Sequence, residues 1–161
     1  MKKLLPFLIL LTASVSCLKD DSGNRDPRFM SVEQYISLLK SGNFSIWEMP
    51  IFEISDIPKF LKYVHNETRI TIDVNHPISS HFQYQKFDTT LGMMALWTIE
   101  GVRLDVDLPS STPTVKDSFG QNATQKEIAG LYERWWEKNK GKTHAQLKEI
   151  SPFEGTNYSW H

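Results

Sequence analysis

Few residues of this chain have the type and spacing that chemistry requires. Glu100 lies within an apolar run from Leu91 to Val102, where burial would raise a carboxyl pKa and ready it as a general acid. Arg103 stands three residues on and Asp105 and Asp107 follow. Capture of Glu100 by Arg103 or by a backbone amide is the favoured reading, because buried carboxylates are usually paired. His76 and His81 flank Pro77, and with Asp88 they would make a histidine and carboxylate metal set. No two of the histidines at 65, 76, 81, 144 and 161 have the spacing that puts two ligands on one helical face. Surface histidines are therefore favoured. There is no Gly-x-Ser-x-Gly elbow and no glycine-rich phosphate loop, and no cofactor is expected. Cys17 is the single cysteine. It cannot close an internal disulfide or build a thiolate cage alone.

Aromatic side chains offer binding chemistry instead. Of five tryptophans, Trp97, Trp135 and Trp136 have the periodicity of core, whereas Trp47 and Trp160 fall in irregular segments. These two form the candidate binding face, since exposed aromatic rings hold sugars and partner proteins. The 18 basic and 19 acidic residues leave no positive footprint for nucleic acid.

The elements that must carry these residues are mostly helical. Ser31 with Gln34 forms a capping box ahead of Val32, Tyr35, Ile36 and Leu39, with Gly42 at the C-terminal end. Ser55 or Asp56 precedes a second helix with Pro58 in its first turn and Ile57, Phe60, Leu61 and Val64 on one face. Residues 43–54 read as a connection lying against the core. Asp88, Thr89 and Thr90 open a third helix, apolar nearly all round and so expected at the centre of the fold. Pro109 to Gln121 is the longest irregular stretch, of a length often functional or mobile. Asn122 or Thr124, boxed with Gln125 or Glu127, starts a fourth helix striped by Ile128, Leu131, Tyr132, Trp135 and Trp136. Thr143 with Gln146 starts a short fifth, which Pro152 stops. Arg69 to Val74 alternates as a short strand, and Val102, Leu104, Val106 and Leu108 alternate in a way that would pair with it. The expected class is mainly α: a compact bundle or helical-repeat-like array of about five helices with a short two-stranded β element. An α+β fold is the alternative.

The N-terminus is a targeting segment. Lys2 and Lys3 precede an apolar run from Leu4 to Ala13, about 15 Å as a helix and too short to span a bilayer. Ser14-Val15-Ser16-Cys17 then resembles a bacterial lipoprotein signal, with Ser14 where leucine is usual. The resemblance implies cleavage before Cys17 and acylation of that residue. Residues 1–16 would be the signal peptide, 17–29 a flexible tether and 30–161 a single helical domain. Loss of Lys2 and Lys3 leaves 16 basic and 19 acidic residues, a charge of −3. Anchoring therefore falls to the acyl chains rather than to attraction by anionic lipid. Lys19-Asp20-Asp21 resembles the surface-export signal of Bacteroidetes lipoproteins. It implies an outer-membrane protein, periplasmic or at the cell surface, with the surface favoured.

Four further segments carry a second resemblance: Phe52-Glu53-Ile54-Ser55-Asp56-Ile57-Pro58, Pro77-Ile78-Ser79-Ser80, Leu91 to Glu100, and Tyr132 to Lys142. Together they resemble an uncharacterised family of Bacteroidetes lipoproteins known only as a domain of unknown function. Asp88-Thr89-Thr90 resembles the Bacteroidetes O-glycosylation acceptor pattern, which would place a glycan on Thr89; a helix N-cap is the favoured role. No catalytic residue comes with either resemblance. The leading expectation is a lipid-anchored, non-catalytic binding or assembly module for protein or glycan partners, held to the membrane through Cys17. The alternative is a small envelope hydrolase using Glu100 or the His76 and His81 loop.

Overall fold

The computed structural model describes residues 28–42, 44, 49–74 and 85–161, without the side chains of 73, 74 and 85. Cys17, Trp47, His76 and His81 lie outside the described residues. The described elements are α1 (Val32–Ser41), a 3-10 turn (Ile54–Asp56), α2 (Ile57–Leu61), β1 (Arg69–Val74), β2 (Gln85–Thr90), α3 (Leu91–Leu104), β3 (Val115–Lys116), α4 (Gln125–Asn139), α5 (His144–Glu149) and β4 (Ser159–Trp160). The fold is mainly α with a short β element, as the periodicity requires.

Capping residues set the helix starts. Ser31, Thr124 and Thr143 each accept a hydrogen bond from the backbone N–H three residues later, and Gln34, Glu127 and Gln146 close the boxes. Such caps satisfy donors that a helix leaves unpaired. Thr90 caps α3 by accepting from the Met93 N–H, so the N-cap role expected around Asp88 to Thr90 falls on its last residue. Thr89 sits one residue earlier on β2, opposite Ile70, and is partly exposed.

Helix α3 occupies the centre, as its all-round apolarity requires. Eleven of its 14 residues are buried, and it touches α1, α2, α4 and α5. Gly92 permits this convergence: a Cβ there would lie 2.4 Å from the Val64 carbonyl and against the Gln125 side chain. Gln125 in turn donates to the carbonyls of Val64 at 2.8 Å and Asn66 at 3.3 Å, tying α4 to the end of α2. On one side of α3, Tyr35 packs against Phe44, Phe52 and Phe60. On the other, Tyr132 packs against Trp135, Phe153 and Trp160. Phe44, Met49 and Pro50 are buried, so the described part of the connection before α2 does lie against the core.

The β pairing differs from the α+β alternative. β1 pairs antiparallel with β2, with Ile72 opposite Phe87. Val102 and Leu104 remain in α3, and the chain turns at Asp105, whose φ of 60° is left-handed. The alternation from Val102 to Leu108 is therefore not a strand. The Asp105 and Val106 N–H groups accept no place in a ladder and donate back to the α3 carbonyls of Val102 and Gly101. A second small sheet joins β3 to β4, with Val115 opposite Trp160, and it orders the C-terminal tail against residues read from sequence as irregular. No described helix is long and apolar enough to cross a membrane.

Candidate functional site

Helix α3 brings Glu100 and Arg103 onto one face, both 5% exposed. Arg103 Nη2 donates to Glu100 Oε1 at 2.7 Å and Nε donates to Oε2 at 2.9 Å. The Tyr132 hydroxyl donates to the same Oε2 at 2.8 Å, and Trp160 Nε1 donates to the tyrosine oxygen at 2.9 Å. Arg103 Nη1 reaches the carbonyls of Leu147 at 3.2 Å and Lys148 at 2.7 Å. A buried guanidinium thus clamps the end of α5 to α3, where its charge suits the negative end of the α5 dipole.

The electrostatics follow from the geometry. Burial pulls the Arg103 pKa down, but the hydrogen bond and charge of Glu100 outweigh it and raise it. Burial pushes Tyr132 well above the ordinary tyrosine range, with the Glu100 charge adding to the effect. Both Glu100 oxygens are occupied by donors that cannot leave without exposing a buried charge. The arrangement holds elements together and offers no free carboxyl for acid catalysis.

The other nominated residues are dispersed. Trp160 packs its ring against Tyr132 and Phe153 and spends its N–H inside this network. Asp88 accepts from Thr71 Oγ1 at 2.7 Å across β1 and β2. Asp105 accepts from Lys148 Nζ at 2.9 Å, which holds its carboxyl below the usual range. Among the described residues no three His, Cys, Asp or Glu side chains come together as a metal set.

The chain belongs to the family described as Domain of unknown function (DUF4943). The match runs over residues 26–161. No curated protein and no solved structure matches.

An open groove lies on α4 beside the C-terminal tail, with a volume of about 410 Å³, within the size range of small-ligand sites. Its walls are Lys126, Glu127, Gly130, Leu131 and Arg134 of α4, with Thr156 and Tyr158 of the tail. Lys126, Gly130 and Arg134 recur every four residues and so share one helix face. With no side chain at Gly130, the Arg134 guanidinium folds back over the helix: a Cβ there would lie 3.2 Å from Arg134 Nη1. Among the described residues neither Lys126 nor Arg134 has an acidic partner. The Glu127 carboxylate is engaged by the Thr124 hydroxyl at 2.6 Å and backbone N–H at 3.0 Å. Those bonds hold its pKa below the ordinary value. The half-buried Tyr158 ring packs against Phe153, and its hydroxyl has no partner among the described residues.

Lys126 and Arg134 lie off the apolar stripe of α4 and Tyr158 lies in the tail, so helical periodicity does not single them out. A signal was present: a glycine midway between two cations on the polar face of an otherwise strong helix costs about 1 kcal/mol against alanine.

Proposed function

We propose that this protein is a lipid-anchored envelope module, held at the outer membrane through acylated Cys17, that binds an acidic partner in the α4 groove without catalysing its conversion. The carrying observation is the contrast between two charged sites. The Glu100 carboxylate is consumed within the fold, whereas Lys126 and Arg134 line an open groove without an ion-pair partner among the described residues, the groove's one carboxylate, Glu127, being hydrogen-bonded to Thr124. Their Cα atoms are eight residues apart on α4, about 12 Å, with the Tyr158 side chain lining the same groove.

Of the protein and glycan partners expected, a uronate-containing glycan fits best. Its carboxylates suit a guanidinium and an ammonium, and the apolar face of a sugar ring suits a tyrosine. The signal-like N-terminus and the −3 charge of the processed chain support acyl anchoring. Calorimetric titration with uronate oligosaccharides tests the reading. Wild-type protein should bind, Arg134→Gln should bind at least about tenfold more weakly, equal to about 1.4 kcal/mol, and added salt should weaken both. Equal affinity for neutral oligosaccharides, or an unchanged Arg134→Gln, would overturn it.

A further inference from the structure

The α4 groove carries a charge pattern that a ligand must match, because its walls hold an anion, Glu127, as well as the cations Lys126 and Arg134. Both Thr124 bonds to Glu127, from the hydroxyl at 2.6 Å and the backbone N–H at 3.0 Å, end on Oε2. Oε1 has no hydrogen-bond partner among the described residues. It is left to accept from a ligand. The same two bonds hold the carboxyl pKa below its ordinary value, so near neutrality the negative charge is fixed.

The charges are also separated along the helix. Capping ties the Glu127 carboxylate back to Thr124, whereas Arg134 Nη1 lies over Gly130, 3.2 Å from where a Cβ would sit. Thr124 and Gly130 are six residues apart, about 9 Å along the axis. The carboxylate therefore marks the N-terminal end of the groove and the guanidinium its middle, with Lys126 rooted between them. Glu127 also complements the positive end of the α4 dipole, so the helix start is already neutralised. A glycan with a carboxylate on every ring sets one against Glu127 when others meet Arg134 and Lys126. A glycan that alternates uronate with a neutral ring sets its carboxylates on the two cations and offers Glu127 a hydroxyl, whose O–H donates to Oε1.

We propose that Glu127 is a specificity-determining residue, which makes the groove select glycans that alternate uronate with neutral sugar over unbroken polyuronates. This rests on the uronate reading of the groove proposed above. Calorimetric titration at one salt concentration compares a hyaluronan tetrasaccharide, in which glucuronate alternates with N-acetylglucosamine, with tetragalacturonate. The second probe carries twice the charge and binds more tightly if the cations alone decide. Two like charges about 4 Å apart in water cost about fivefold in affinity, and salt reduces the cost. Wild-type protein should therefore bind the hyaluronan tetrasaccharide about threefold more tightly. Glu127→Gln keeps a side chain that closes the capping box, which its melting temperature checks, and should lose or invert the preference. A role confined to capping would leave the ratio of the two affinities unmoved. Tetragalacturonate bound by wild-type as tightly as the hyaluronan tetrasaccharide or more so, or a preference that survives Glu127→Gln, overturns the selectivity and leaves uronate binding intact. Failure of wild-type to bind either probe overturns both.

Discussion

Removing the charge of Glu100 strands Arg103 in the core. Glu100→Gln should therefore cost about 3–5 kcal/mol, as for other buried pairs that lose one partner. Tyr132→Phe removes one of three donors to Glu100 and leaves the Trp160 N–H without its acceptor, a loss of about 1–3 kcal/mol. Chemical denaturation measures both; a Glu100→Gln loss smaller than that of Tyr132→Phe would contradict the geometry. The pair itself was legible in sequence, because residues three apart on a helix meet. The rest of the network was not. Tyr132 is 32 residues from Glu100, and the Leu147 carbonyl is 44 residues from Arg103. No local pattern announces contacts of that separation.

Helix α4 combines a stability device with a binding face. Its N-terminal box keeps the folded-state pKa of Glu127 below the ordinary 4.5. A depressed carboxylate contributes stability that is complete above its unfolded pKa and lost as pH falls through the folded one. Asp105, depressed by Lys148, acts in the same direction. Thr124→Ala should cost about 1 kcal/mol near neutrality and flatten the fall in melting temperature below about pH 4.5, measured by calorimetry across pH. An unaltered acid limb would count against the box. Gly130→Ala offers a sharper test, because helix propensity and binding should move oppositely. The added methyl meets only the flexible end of Arg134, so stability should rise by about 0.5–1 kcal/mol. Uronate affinity should fall as the guanidinium is displaced. A variant that is more stable and binds equally well would show that the glycine does not shape the groove.

Across the whole molecule, what repeats every few residues was legible and what closes over long distance was not. The boxes at Ser31, Thr124 and Thr143, the central place of α3 and the five helices follow from spacing alone. The partner of β1 did not. The alternation at Val102, Leu104, Val106 and Leu108 imitates a strand, yet helical bonding persists to Leu104 and a left-handed Asp105 turns the chain. The groove needed the tail to return beside α4, which the pairing of Val115 with Trp160 secures. Its cations were visible in sequence, while their lack of ion-pair partners among the described residues emerged only from the fold. Backbone amide chemical shifts recorded during titration with a trigalacturonate test the central claim most directly. The account predicts saturable shifts concentrated at Lys126, Gly130, Leu131, Arg134, Thr156 and Tyr158, suppressed in Arg134→Gln. Shifts absent there, or centred instead on Glu100 and Arg103, would contradict it.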